Sequence, residues 1–493
     1  MSKVDVIRYR PRGRPATEEL DHRERNAAHE IATAYRLVTR AEIGMARDHP
    51  ARSQVCYVQR MMHIGVLGAG YVGLVTGVSL ARIGGYRVTL VEKSPDRLDE
   101  LRAGRMPIEE PGLAEAFVEV RDRIEIARAL DEADPPQLIF VAVGTPISEG
   151  GDADMTELRS ALAGLRAWSA AHVSVRSTLP PGMSVRLPTL LGRASGDRVS
   201  TSPEFLRQGS AMRDYARPTR IVIGRFPETS QEHLDLMRSI LAPIDAPRLE
   251  VSVAAAELIK NVANGFLALK LSFVNEVAAL AEELGVEVDE VLEGLALDPR
   301  IGSTYMRPGL GFGGSCLPKE LQMLASTGRR LGIPMHLARA VAQVNVEQQD
   351  RFIRRILREL PRPGARVGLL GLSFKAGTDD LRGSPALYVA RRLLEAEHLV
   401  TAYDPAVRKE RGERAAPGIR MTGAAAEVFD GADAVVVATE WPEFAEIDLA
   451  AVRPRTARAM IFDGRNIIDP ALAVAAGFEY RGIGRKSRPT VLS

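Results

Sequence analysis

His63-Ile64-Gly65-Val66-Leu67-Gly68-Ala69-Gly70-Tyr71-Val72-Gly73 is the stretch on which the reading of this chain turns. Five mostly apolar residues suit a short buried strand. Gly68, Gly70 and Gly73 follow it closely. A small-residue helix is expected over residues 74–83, stopped by Gly84-Gly85. A second strand is expected over 87–91, with Glu92 at its tip. Glycine permits a tight turn and close approach of a pyrophosphate, which sits at the helix N-terminus. An acidic side chain about 20 residues on binds the adenosine ribose hydroxyls. Gly68, Gly70, Tyr71, Val72, Gly73, Glu92 and Lys93 are thus the expected cofactor contacts. A carboxylate repels a 2′-phosphate, so Glu92 favours NAD, while Lys93 and Arg97 leave room for NADP. GxGxxG alone is weak; strand, turn, helix, strand and carboxylate in order make it strong.

Working outward, strands and helices alternate. Strands are expected over 137–143, 171–176 and 198–201. Their tips carry Gly144-Thr145-Pro146, Ser177-Thr178 and Ser202-Pro203-Glu204-Phe205-Leu206-Arg207-Gln208. Strand C-termini are where ligands bind in such sheets. Thr145 and Thr178 could equally cap helices.

From residue 254 the period becomes helical. Residues 254–283 read as one long helix in which Lys260 and Asn264 share a face. A buried lysine is costly unless paired, so this one is either functional or reaches solvent. Helices are also expected over 286–295, 320–331 and 337–360, a length that suits a spine on which two subunits dock. Within this region lies Pro308-Gly309-Leu310-Gly311-Phe312-Gly313-Gly314-Ser315-Cys316-Leu317-Pro318-Lys319-Glu320. Taken alone it is a glycine turn before a small buried cysteine, or a nucleophile with a carboxylate four residues on.

Pro361-Arg362-Pro363-Gly364 marks a boundary, and a second α/β unit opens with a strand over 366–370. Its turn lacks the glycine fingerprint, so no second NAD is expected there. Lys375, Arg382 and Arg465 are phosphate-binding candidates or ordinary surface cations. The fold class is therefore α/β: two Rossmann-like doubly wound units joined by a long central helix with a helical dimerisation segment. The expected domains are 1–61, a charged extension; 62–253, NAD-binding; 254–361, central; 362–485, the second α/β unit; and 486–493, a tail.

The extension could form an amphipathic helix over 17–45, or be a solvated arm, or sequence ahead of the true start. A net charge of +2 gives no reason to expect nucleic acid or membrane. Two cysteines in 493 residues suit a reducing cytoplasm rather than a disulfide framework. No apolar run is long enough to span a bilayer, and no metal-ligand pattern is singled out.

Taken together, these motifs resemble the UDP-glucose/GDP-mannose dehydrogenase family over about residues 62–485. Besides the Gly68 fingerprint, the resemblance rests on Pro107-Ile108-Glu109-Glu110-Pro111-Gly112-Leu113, Val143-Gly144-Thr145-Pro146, Ser177-Thr178, Pro203-Glu204-Phe205, Lys260 with Asn264, the Cys316 loop, and Phe374-Lys375 with Arg382-Gly383-Ser384-Pro385, all in the family's order.

The resemblance implies an NAD-dependent four-electron oxidation of a nucleotide sugar at C6. Cys316 would form a thiohemiacetal and then a thioester. Lys260 and Asn264 would stabilise oxyanions, Glu204 would be the hydrolytic base, Thr178 would act with a water, and Glu320 would orient water and Lys260. Glu204, Phe205, Leu206, Arg207, Lys260, Asn264, Phe312, Gly313, Lys375, Arg382 and Arg465 would contact the substrate. Arg300 would reach the partner's site in a homodimer. Two positions depart from the family: Glu320 where Asp is usual, and Gln208 where Glu is usual. They leave open a sugar-nucleotide-binding protein without turnover. Met306-Arg307-Pro308-Gly309 and residues 372–380 look like the GDP-mannose branch. Residues 439–444, 463–466 and 482–485 look like the UDP-glucose branch, which is weighted more because the C-terminal unit should hold the nucleotide.

Overall fold

The structure, a computed structural model, describes residues 62–148 and 151–485. The expectations for the extension and the tail lie outside these residues.

β1 (His63–Leu67) is buried at every position, as a strand covered on both faces must be. It joins β2 (Arg87–Val91), β3 (Ile124–Ala127), β4 (Leu138–Val141), β5 (His172–Val175), β6 (Val199–Thr201), β7 (Ile221–Arg225) and β8 (Arg248–Ser252) in one sheet. The order is β3-β2-β1-β4-β5-β6-β7-β8. Side-chain alternation sends Ile64, Val66, Leu138 and Phe140 into one hydrophobic cluster and Leu67, Ile139 and Val141 into another. The strand order reverses at β1, flanked by β2 and β4, which puts a ligand crevice at their C-terminal ends.

α1 (Tyr71–Gly84) begins three residues before the expected start, directly at the glycine turn, and stops at Gly85 with φ of 68°. A Cβ on Gly73 would lie 1.8 Å from the Gly68 carbonyl oxygen, so turn and helix can close only over glycine. The sheet is not wholly parallel: β7 runs antiparallel to β6. β3, β7 and β8 went unread in the sequence. β3 is an edge strand alternating buried and exposed, and β8 is largely open, so neither has a continuous apolar run.

The second sheet contains β9 (Arg366–Leu370), β10 (Leu399–Tyr403), β11 (Arg420–Met421), β12 (Ala434–Val437), β13 (Met460–Asp463) and β14 (Glu479–Gly482). Its order is β11-β10-β9-β12-β13-β14, parallel throughout.

Of the remaining helices, α2 (Ala211–Ala216) and α3 (Gln231–Leu241) pack in the first unit. α4 (Val253–Leu284) is the connecting element. Ser252 caps its start, accepting from Ala255 N at 3.2 Å, and Gly285 ends it in the left-handed conformation. Its first half docks on the first unit, where buried Glu257 accepts from Ser184 N at 2.6 Å and Asn261 donates to Leu179 O at 3.0 Å. Its second half places Val274, Ala278 and Ala281 in a core shared with β9 and β13. α5 (Val288–Ala296), α6 (Leu317–Leu331), α7 (His336–Glu359) and α8 (Pro385–Glu395) complete the frame. Among the described residues no helix is long and apolar enough to cross a membrane.

Candidate active site

The Cys316 loop is held from three sides. Gly309 N donates to Asn275 Oδ1 on α4 at 2.9 Å, and Phe312 N donates to Asn345 Oδ1 on α7 at 2.7 Å. Gly314 N donates to Arg382 O in the second unit at 3.0 Å. Gly313 must be glycine, since a Cβ there would stand 2.3 Å from Gly383 O. The loop ends at Cys316, which is exposed and is the N-cap of α6, with Pro318 in the first turn. A helix N-terminus favours negative charge. Starting α6 at Leu317 carries Glu320 into the interior on its first turn.

Lys260 does not reach solvent. It is 4% exposed, and its Nζ donates to Glu204 O at 2.6 Å and to Glu204 Oε1 at 3.1 Å. Glu204 Oε2 accepts from Leu206 N at 2.6 Å. Burial pushes the Glu204 carboxyl up, but the Lys260 charge, the Leu206 N–H and Arg176 outweigh it and hold its pKa below the usual value. Burial pushes Lys260 down, and Glu204, Glu320 and Cys316 more than reverse this, so the ammonium stays charged.

Glu320 has the opposite character. It is fully buried and neither oxygen has a hydrogen-bond partner. Asn264 lies beside it without completing a bond. Burial raises its pKa, with Lys260 and Lys319 opposing and Glu204 reinforcing. Two carboxyls with pKa values pushed apart are the pattern of one group ready to accept a proton and one that keeps its own.

Two cavities meet at this point. The first, about 690 Å³, is lined by Lys260, Asn264, Phe205, Arg207, Phe312, Gly313, Lys375 and Arg465. The second, about 1520 Å³, runs past Gly68, Gly70, Tyr71, Val72, Glu92, Lys93, Thr145 and Thr178. Cys316, Glu204, Leu206, Gln208 and Arg176 line both.

The second cavity fits NAD. A Cβ at Gly70 would meet nothing within 4 Å, leaving room for a pyrophosphate against the backbone. Glu92 stands at the β2 tip and accepts from Ser94 N at 2.9 Å. Arg97 donates to Ala69 O at 2.9 Å and lies 3.8 Å from Glu92, so it braces the turn rather than waiting for a 2′-phosphate. Thr145 and Thr178 cap no helix: Thr145 Oγ1 donates to Thr178 O at 2.9 Å, and Lys319 Nζ reaches Thr145 Oγ1 at 3.4 Å.

Three expected substrate contacts stand differently. Arg382 lines the dinucleotide cavity and forks onto Asp380, with Nε at 2.9 Å from Oδ1. Arg465 borders the smaller cavity but also ties Ala438 O, Gly311 O and Glu440 together. Arg300 is exposed, paired with Asp298 at 2.6 Å, and absent from its own chain's cavities. Gln208 Nε2 donates to Asp380 Oδ2 at 3.0 Å, so the amide serves where a carboxylate would face a carboxylate. The sequence reading missed the roles of Arg176 and Glu110. Glu110 accepts from Gly209 N at 2.6 Å and from Ala211 N at 2.7 Å, and also binds the Tyr71 hydroxyl. Glu110 carried a signal in its place within the Pro107–Leu113 motif; Arg176 carried none beyond ending a strand.

Comparison with known proteins agrees with this layout. Residues 62–245 match the NAD binding domain of the UDP-glucose/GDP-mannose dehydrogenase family, 254–347 its central domain and 368–470 its UDP binding domain. A UDP-glucose 6-dehydrogenase of Bacillus subtilis is 36% identical over 443 residues, spanning 86% of this chain and 98% of its own. One from Pseudomonas aeruginosa is 36% identical over 450 residues, with 86% and 98% coverage. A solved UDP-glucose dehydrogenase from Pyrobaculum islandicum superimposes with a TM-score of 0.78 at 36% identity, covering 87% of this chain and 98% of that one.

Proposed function

The chain belongs to the UDP-glucose/GDP-mannose dehydrogenase family, and from that premise we propose that it oxidises the C6 alcohol of UDP-glucose to the carboxylate of UDP-glucuronate. NAD is the cofactor. The observation that carries the reading is the shared wall: Cys316 and Glu204 border both the dinucleotide cavity and the smaller one. UDP-glucose is favoured because the relatives above act on it.

The sum is one alcohol, two NAD⁺ and one water giving one carboxylate, two NADH and three protons. When bound, NAD supplies the hydride acceptor. The chain's own groups handle protons and negative charge. A water held by Thr178 takes the alcohol proton in the first oxidation. Lys260, kept cationic, and Asn264 face the oxyanion that forms when the Cys316 thiolate adds to the aldehyde carbon. Loss of the second hydride from that thiohemiacetal leaves a thioester. Glu204, kept ionised, takes a proton from water as it attacks; the C–S bond breaks and the thiolate departs. Glu320 orients the water and Lys260. The domains work as 62–253 for NAD, 254–361 for the catalytic centre and 362–485 for the nucleotide.

We infer further that the enzyme is a homodimer. Leu258, Val262, Phe266, Phe273, Leu280 and Leu284 form an exposed apolar stripe along α4, which a second copy would cover. Arg300, projecting into solvent, would enter the partner's sugar site.

The test is NADH counted per sugar consumed. Two NADH from UDP-glucose supports the proposal; two from GDP-mannose moves the assignment to that sugar. Binding without NADH makes the chain a binder without turnover. Cys316→Ala should stop the second oxidation.

A further inference from the structure

Arg176 follows β5 and is 8% exposed. Its guanidinium sits 5.6 Å from the ring centroids of Phe140 and Tyr215. Its Nε is buried without a hydrogen-bond partner, and among the described residues no carboxylate lies within ion-pair distance of it. A guanidinium stays charged under all relevant conditions. A buried Nε left unpaired, on a cation in the wall between two ligand cavities, calls for a reason.

The reason lies in the division of work around Glu204. That carboxylate is touched by one cation, Lys260. If Glu204 and Lys260 act as proposed above, Lys260 must serve two anions in turn: Glu204 at rest and the oxyanion during reaction. When Lys260 shifts, Glu204 would lose the one cation that touches it. Lys260 is a flexible ammonium on a long stem, whereas the Arg176 side chain is wedged between two rings.

We propose that Arg176 is a positioning residue for thioester hydrolysis: its guanidinium is the second, immobile cation for the Glu204 carboxylate, freeing Lys260 for the oxyanion. The charge of Arg176 already favours ionised Glu204. The other groups bearing on this cluster are Glu320 from α6, Tyr71 from α1, Tyr215 from α2 and Cys316 from the loop. Tyr215 is fully engulfed with its hydroxyl unpartnered, so it offers Arg176 a ring and no counter-charge.

The experiment compares wild type, Arg176→Met, Arg176→Lys and Glu204→Gln in two readouts. One is the pH profile of kcat for the second oxidation, with the aldehyde supplied. The other is covalent adduct on Cys316, read by intact mass after quenching. In Arg176→Met the acid limb should move up by about one pH unit. Rate should fall roughly tenfold below the limb and little above it, with adduct accumulating at low pH. Arg176→Lys should restore most of the wild-type profile. An equal loss at every pH in both variants would make Arg176 merely structural and overturn the proposal, as would an unshifted limb. Glu204→Gln separates the two readings. If it turns over the adduct at the wild-type rate, the assignment of Glu204 as base fails. If it traps the adduct while Arg176→Met behaves as wild type, only the present inference fails. Misfolding is not expected, because exchanging a buried ion for an apolar group of similar volume is commonly neutral or stabilising; thermal melting checks this.

Discussion

The two α/β units run the same course and differ in what their acidic side chain does. Each has a strand, a turn, a helix and a second strand with a carboxylate at its tip: Glu92 after β2 and Asp404 after β10. In the first unit Glu92 leaves the glycine turn alone, and the turn opens onto the large cavity. In the second, Asp404 folds back onto the turn after β9. Its Oδ2 accepts from Leu372 N, Ser373 N and Ser373 Oγ, each at 2.8 Å, and from Trp441 Nε1 at 3.3 Å. Both turn amides are thereby satisfied within the protein. In the second unit the amides of the turn are taken by the chain's own carboxylate; of its nucleotide-facing candidates, Lys375 lies two residues further along the same loop and Arg465 on the loop after β13. Whether such a unit takes a dinucleotide depends on a free turn, not on the fold.

Closing the open turn should have the largest effect on ligand binding. Gly73→Ala puts a Cβ against backbone, the Gly68 carbonyl, where no side chain can move aside. NAD affinity should fall by at least about 100-fold, roughly 2.7 kcal/mol, while UDP-glucose binding measured by calorimetry should stay within about twofold. Retained NAD affinity would show that the free glycine turn is not what holds the dinucleotide.

Opening the sealed turn should cost stability. Asp404→Ala strands the amides of Leu372, Ser373, Ala406 and Val407 and the Ser373 hydroxyl, and leaving buried donors unpaired costs about 1–3 kcal/mol each before relaxation. A loss of about 3 kcal/mol in urea unfolding is expected, with NAD still binding once per protomer. Unchanged stability would show that the carboxylate seals nothing. A second NAD would show that Asp404 alone excludes it.

Much of this was legible because the informative residues are local. Gly68 to Glu92 declare strand, turn, helix and acid within 25 residues, and the Cys316 loop announces itself by glycine density. What was hidden is what distant segments do to one another. That Lys260 is buried on Glu204, 56 positions away, follows only from how α4 docks on the first sheet. That Gln208 satisfies Asp380 across 172 positions could not be read from either segment. β7 and β8 escaped for other reasons. β8 is the edge strand and is largely open, so the pattern that exposes a central strand is weak there, whereas β7 is paired on both sides and its short Ile221-Val222-Ile223 run was simply passed over.

Lowering the pH should have the smallest effect of the three. Both units bury neutral imidazoles, but differently. In the first, His172 Nδ1 and His233 Nδ1 are 3.0 Å apart, so only one proton can lie between them, and His233 Nε2 meets Ser200 Oγ at 2.8 Å. Burial, then the neighbouring His172 and Arg193, push His233 down to about 3, with Asp197 opposing. Burial and Arg198 lower His172 as well, with Glu232 opposing. In the second unit His398 is lowered by burial alone, and Asp433 works against the shift. An unfolded histidine titrates near 6.5. Between that value and about 3 the unfolded chain binds a proton that native His233 refuses. Its contribution to stability is therefore complete above about pH 6.5 and is lost as the pH falls towards the native value. From pH 7 to 5 the loss from His233 should be about 2 kcal/mol, read as the change in urea-unfolding free energy between the two conditions. His233→Gln should remove most of that pH dependence whatever it does to stability at pH 7. His398→Gln should remove a smaller share, because no second imidazole presses on it. If the pH dependence is the same with and without His233, the buried pair is not what ties the first unit to neutral pH.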